Sequence, residues 1–198
     1  MQQLPVLELF PTLQGEGEWA GYPAIFLRLA GCDVGCHWCD TRYSWDIPHH
    51  SYRPVPQIVN EILKMPPAIV VITGGEPSMH DLRALTKGLA HRKRIHIETS
   101  GVYPLRGQFD WITLSPKKFK PALPTVVEQA DELKIVVYNQ HDLEWARSWE
   151  HRISSSVKRC LQPEWGRRQK MMPHILRFLH QYPQWHLSVQ LHKILGIP

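Results

Sequence analysis

The sequence predicts an α/β fold on a parallel sheet, arranged as a partial barrel that stays open on one side. Three observations carry this. Short β-type apolar runs alternate with segments of helical period along most of the 198 residues. The polar motifs of chemical interest follow the carboxyl ends of those runs, which is where parallel sheets place their ligands. The runs number about six, too few to close an eight-stranded barrel.

The first strand is predicted over Ile25–Leu29, followed by Gly31-Cys32. Between Thr41 and Val55 the chain is polar and proline-rich, and His49 and His50 are expected to face solvent. Ile58, Val59, Ile62 and Leu63 then recur at helical spacing. Strand two covers Ala68–Ile72 and leads into Thr73-Gly74-Gly75-Glu76-Pro77. After it, Leu82, Leu85 and Leu89 mark a second helix. Strand three, Ile95–Glu98, precedes Thr99-Ser100-Gly101, and strand four, Trp111–Leu114, precedes Ser115-Pro116-Lys117. The crossovers at 102–110 and 115–131 carry glycine, proline and few periodic positions, so they are expected to shrink to loops. Strand five is Leu133–Val137. Strand six is Arg159–Leu161, followed by Gln162-Pro163, and Met172, Ile175, Leu176 and Leu179 set the last helix.

A chain of 198 residues with ordinary apolar content is read as one soluble domain spanning 1–198. No stretch approaches the apolar length of a membrane span, and Met1-Gln2-Gln3-Leu4-Pro5 has no signal-peptide pattern, so a cytoplasmic location is expected. The net charge of +5 comes from scattered cations, with Arg92-Lys93-Arg94, Lys117-Lys118 and Arg167-Arg168 among the adjacent groups. That pattern predicts a solvated basic surface suited to anionic ligands or an acidic electron donor, and no nucleic-acid partner. Trp145, Trp149 and Trp165 are the candidates for an apolar subunit seam.

Cys32, Cys36 and Cys39 form a C-x3-C-x2-C triplet directly after the first strand. Three thiolates on one loop can hold three irons of a cubane cluster and leave the fourth open to a small molecule. Structural zinc with His37 as fourth ligand is the competing interpretation, though His37 lies between two of the cysteines, where a tetrahedral shell is hard to close. A disulfide framework is the other, but the fourth cysteine, Cys160, is distant and reads as a buried small hydrophobe.

The cysteine loop followed by Thr73-Gly74-Gly75-Glu76-Pro77 resembles the radical S-adenosylmethionine (SAM) superfamily. Further segments resemble its 7-carboxy-7-deazaguanine synthase family: Phe10 to Gly17, Phe26 to Cys32, Cys39-Asp40-Thr41, Ile97 to Gly101, Ser115 to Lys117, and Gln190 to Pro198. The likeness spans nearly the whole chain. It implies a [4Fe-4S] cluster on Cys32, Cys36 and Cys39, with the cluster loop at 31–41. SAM would contact Trp38, Cys39, Asp40, Gly75, Glu76, Ser115, Pro116, Lys117 and Gln190-Leu191-His192-Lys193. Glu76 would accept a hydrogen bond from the SAM ammonium, and Gly75 would let backbone approach its methionine part.

The substrate implied is 6-carboxy-5,6,7,8-tetrahydropterin, converted to 7-carboxy-7-deazaguanine by ring contraction with loss of ammonia. Leu13, Gln14, Gly15, Arg28, Thr73, Glu98 and Pro198 would bind it, with Arg28 facing the carboxylate. Thr41 would hold Mg2+, an ion that accepts one protein ligand plus substrate and water; its other role is to cap a turn after Asp40. Residues 185–198 would cap the substrate. A flavodoxin or ferredoxin donor and a homodimer are also implied. Two alternatives remain at this point: a radical SAM activase that makes a glycyl radical on a partner protein, and a non-enzymatic metal or nucleic-acid binding module.

Overall fold

The computed structural model describes residues 1–48 and 51–198, so the expectation for His49 and His50 lies outside the described residues. One nine-stranded sheet runs through it in the order β3-β1-β2-β4-β5-β6-β7-β8-β9. Seven strands form its parallel body: β2 (Pro23–Leu29), β4 (Ile69–Gly74), β5 (Arg94–Thr99), β6 (Trp111–Leu114), β7 (Glu132–Val137), β8 (Lys158–Pro163) and β9 (Trp185–Leu187). β1 (Gln3–Leu13) pairs antiparallel with β2, and β3 (Tyr52–Pro54) pairs antiparallel with β1. β3 and β9 are its unjoined edges, so the barrel stays open.

The six expected strands are all present within two residues, and three more join them. β1 carries Pro5 and Pro11, which cannot donate to a ladder; it tolerates them because beyond Pro5 it has a neighbour on one side alone. β3 and β9 have three residues each, below the length at which periodicity is visible.

Outward-facing residues of the central strands are aliphatic: Ile25, Leu27 and Leu29 on β2, Val70 and Ile72 on β4, Leu133, Ile135 and Val137 on β7. Helices α1 (Val55–Lys64) and α2 (Arg83–Leu89) cover the first half of this face. The one-turn helix α3 (Pro124–Val127), α4 (Gln140–Ser148) and α5 (Arg168–Gln181) cover the second. The crossover at 102–110 has no helix, as expected, and 115–131 holds α3 alone. In α5 the buried face is Met171, Ile175 and Phe178, at i, i+4 and i+7; Met172 and Leu176, expected inside, stand one position out of phase.

The inner face is different. Phe26, Val71, His96 and Trp111 stand side by side across four strands and pack on Trp19 from the β1–β2 turn, whose ring is 5.2 Å from His96 and 5.6 Å from Trp111. Above this floor, towards the carboxyl ends, the row is polar: Arg28 beside Thr73, and Glu98 beside Thr113 and Glu132. The β1–β2 hairpin thus folds its tip across the interior and fills it.

Candidate active site

The carboxyl ends of the strands surround a cavity of about 250 Å³. Cys32, Cys36, Trp38, Cys39, Asp40 and Thr41 form one wall, Thr73, Gly75, Glu76, Ser115 and Lys117 the next, and Gln14, Arg28 and Glu98 the floor; Gln190 and His192 enter from the far end of the chain. Most of the residues singled out in the sequence therefore meet in one place.

The cluster loop is fixed by backbone. Gly31, at φ +101, turns the chain out of β2; its N–H donates to the Ser44 carbonyl at 2.8 Å, and the Cys32 N–H donates to Trp45 at 3.1 Å. The glycine turn after β4 braces this loop from behind. Gly75 N–H donates to Leu29 O and Glu76 N–H to Gly31 O, and a Cβ on Gly75 would stand 2.2 Å from Gly31 O. Close packing on the loop backbone by itself demands glycine at 75.

Glu76 also has a different task from the one expected. Its buried carboxylate accepts from Ser78 N and Oγ, Thr99 Oγ1, Ser100 N and Ser100 Oγ. Five donors saturate two oxygens, leaving no lone pair for a ligand ammonium. Glu76 ties the ends of β4 and β5 together.

Burial raises the Cys32 thiol and pushes Cys36 up to about 11, against the opposing pull of Lys117 on Cys36. Among the described residues no three His, Cys, Asp or Glu side chains are grouped as a single metal ion would require. A cubane takes one thiolate per iron and asks for thiols spread around a cavity wall, so this donor set fits an iron–sulfur cluster. Lys117 reaches Ser115 Oγ at 2.9 Å and lies 5.4 Å above the Trp38 ring; burial lowers its pKa. Thr41 occupies the first cap of a short 3-10 helix, Arg42–Ser44, but its hydroxyl makes no cap bond and its polar neighbour is Cys39 Sγ at 3.6 Å.

On the floor, Arg28 Nε donates to Glu8 at 2.5 Å, which leaves the two terminal nitrogens of the guanidinium for an anion. Gln14 Nε2 donates to Glu98 Oε1 at 2.9 Å. The C-terminal helix α6 (Leu191–Leu195) closes one side: Gln190 Nε2 donates to Glu16 Oε1 and Asp40 Oδ2, Leu191 N–H donates to Gly15 O, and Lys193 pairs with Asp40. Burial acts to raise the Asp40 carboxyl, but Lys193 and Gln190 outweigh it and hold it below its ordinary value. A Cβ on Gly15 would collide with the His192 ring, which explains the glycine.

Some expected residues stand outside the cavity wall. Leu13, Gly15, Pro116, Leu191 and Lys193 support it from behind. Pro198 does not line it either; its carbonyl accepts from Thr12 Oγ1 at 2.9 Å, on the flank of the hairpin. Trp149 is buried in the outer core with Trp145 packed beside it, and Trp165 lines the cavity, so Trp149 offers no surface to a subunit seam. Arg92, Lys93 and Arg94 sit at the start of β5, the opposite edge from the cysteines, where Lys93 caps the Met65 and Pro67 carbonyls and Arg94 stacks on Trp19.

Sequence reasoning missed Glu16 and Lys134, whose side chains meet beside Glu98. The signal was present: charged residues at alternate positions of the buried run Glu132-Leu133-Lys134-Ile135-Val136 mark a strand with one polar, enclosed face.

The family model described as "Radical SAM superfamily" matches residues 27–136. A Synechocystis protein named 7-carboxy-7-deazaguanine synthase is 46% identical over 98% of this chain and 93% of its own. One of the same name from Flavobacterium psychrophilum is 43% identical over 100% of this chain and 94% of its own. The chain belongs to the 7-carboxy-7-deazaguanine synthase family of radical SAM enzymes. The crystal structure of QueE from Escherichia coli superimposes with a TM-score of 0.87 at 31% identity, covering 96% of this chain and 95% of that one. Membership implies a [4Fe-4S] cluster and SAM, and the activase alternative is not favoured by any of these relatives. No described helix is long and apolar enough to cross a membrane.

Proposed function

We propose that this chain converts 6-carboxy-5,6,7,8-tetrahydropterin to 7-carboxy-7-deazaguanine with loss of ammonia, a step towards 7-deazapurines such as queuosine. One observation supports it: the thiol triplet and a floor of Arg28, Gln14 and Glu98 line a single cavity, so a radical generator and a reader of a carboxylated heterocycle would share one site. When bound, the cluster and SAM supply one-electron radical chemistry at a C–H bond. Cys32, Cys36 and Cys39 would hold the cluster; Trp38, Asp40, Ser115, Lys117, Gln190 and His192 would line the SAM side.

The chain's own residues bind and orient the substrate. Arg28 would offer its two terminal NH2 groups to the pterin carboxylate, while Gln14, Thr73 and Glu98 would meet the ring edge. The aromatic floor of Trp19, Phe26 and Trp111 keeps water from below. Thr41, with its hydroxyl unused in capping, would share a Mg2+ ion with the substrate carboxylate. An acidic flavodoxin or ferredoxin would approach on the cluster-loop side, where Lys118 and Lys120 lie, rather than at Arg92 to Arg94. A homodimer is expected, with size-exclusion and light-scattering mass as its check.

The test is anaerobic reconstitution with iron and sulfide, reduction, and addition of SAM and the tetrahydropterin. Appearance of the deazapurine chromophore is the expected result. SAM cleavage with no deazapurine would sink the assignment of substrate. Thr41→Ala should raise the Mg2+ concentration needed for half-maximal rate, and an unchanged requirement would remove Thr41 from that role.

A further inference from the structure

Lys134 is one of the most enclosed charges in the molecule, with a side chain 6% exposed on the inner face of β7. Its ammonium lies 2.5 Å from Glu16 Oε2, on the hairpin tip, and 3.0 Å from Glu98 Oε2, on β5. The other hydrogen bonds and strand neighbours of the triad are neutral: Gln14 donates to Glu98, Gln190 donates to Glu16, Thr113 is the β6 neighbour of Glu98, and Thr73 faces it from β4. The remaining charged or titratable groups facing it are Arg28 from β2, Glu132 one position below on β7 with Cys160 against it, Lys117 across the cavity, His192 from α6 and Asp40 behind Gln190.

One cation shared by two carboxylates leaves the triad with a net charge of about −1 on a largely buried stretch of the cavity wall. Without the cation, the two carboxylates repel one another with Arg28 as the remaining counter-charge on Glu98, and that repulsion favours a proton on Glu98. A protonated Glu98 would offer a hydroxyl donor where the donor-rich edge of a 2-amino-4-oxo heterocycle needs an acceptor.

We infer that Lys134 is the positioning residue for substrate-ring recognition, holding Glu98 as an ionised acceptor against the like charge of Glu16. This rests on the proposed function, which sets Glu98 at the ring edge. The titration balance agrees with the geometry. Burial acts to neutralise both partners, yet Lys134 holds Glu98 below its ordinary value, and the two glutamates hold the Lys134 ammonium well above its own.

The experiment compares wild type, Lys134→Met and Lys134→Met/Glu16→Gln as reconstituted enzymes, reading KM for the tetrahydropterin between about pH 6.5 and pH 8.5. Wild type should show a flat KM. Lys134→Met should raise KM about tenfold or more at the acid end, one unit of pKa being a factor of ten, and recover as pH rises. Adding Glu16→Gln removes the like charge and should restore most of the affinity at the acid end. A purely structural lysine would give a pH-independent loss that the second substitution deepens, and that result overturns the inference. If Lys134→Met does not fold, recovery of folded, pterin-binding protein in the double variant is the same rescue; failure of both overturns it. Wild type that makes no deazapurine takes down the functional reading and this inference together, whereas active wild type with a flat profile in Lys134→Met takes down the inference alone.

Discussion

The outer and inner faces of the same seven parallel strands obey opposite rules. Outside, Ile25, Leu27, Ile72, Leu133 and Ile135 meet helices and are fully buried, so that face contributes stability through area removed from water. Inside, alternate residues of those strands are Arg28, Thr73, Glu98 and Lys134, each held by a polar partner or turned into the cavity. The period of two along a strand lets one segment of sequence supply both a core and a site, separated by the thickness of the sheet. Stability and chemistry should therefore respond to different substitutions on adjacent residues.

The largest effect should come from Cys39→Ala. Product formation should drop by more than about a thousandfold, with bound iron lost and the urea midpoint nearly unchanged, since no core contact is removed. Activity above that level would detach Cys39 from the cluster. On the other face, Ile72→Ala deletes a side chain with no exposure and should cost about 2 to 5 kcal/mol in urea unfolding, while kcat of the folded fraction stays within about twofold. A comparable fall in kcat would blur the division between faces.

Glu76→Gln tests the seam where the faces meet. It replaces an acceptor of five hydrogen bonds by a group that brings donors of its own, so about 1 to 3 kcal/mol should be lost together with iron retention. Loss of stability with full iron content would show that the knot does not serve the cluster loop.

The smallest expected effect belongs to the inner floor. Burial, the largest cause, and Arg94 pull His96 down to about 4. A histidine that stays neutral when folded binds fewer protons than the unfolded chain between about pH 4 and 6.5, so stability falls as pH drops through that window. From pH 7 to pH 5 the loss should be about 2 kcal/mol, and His96→Phe should flatten that part of the profile. An unchanged slope in the variant would place the acid sensitivity elsewhere.

The two faces also differ in how plainly the sequence announces them. Apolar runs such as Ala68–Ile72 and Leu133–Val137 identify strands because a sheet covered by helices buries consecutive residues. β1 escaped notice because two prolines interrupt it, and α4, Gln140-His141-Asp142-Leu143-Glu144-Trp145-Ala146-Arg147-Ser148, because few of its positions are apolar. The cysteine triplet and Gly74-Gly75 were legible as motifs. Glu16 was not, because its partner is 118 positions away on another strand and no local spacing records that meeting. The C-terminal segment is hard to read for a similar reason: a segment's nearness to a site does not say which of its atoms arrives, and here Gln190 and His192 line the cavity while the Pro198 carbonyl meets Thr12.

The hairpin tip has one further consequence. Residues 14 to 19 enter the half-open barrel as a stopper and bring with them an amide, a carboxylate and an indole that the floor of the cavity uses. A closed barrel would need additional strands and helices to enclose the same volume; here six consecutive residues do it. One face of the pocket is thus carried on a single short segment, while the loop that holds the cysteines is braced independently by the glycine turn on the far side.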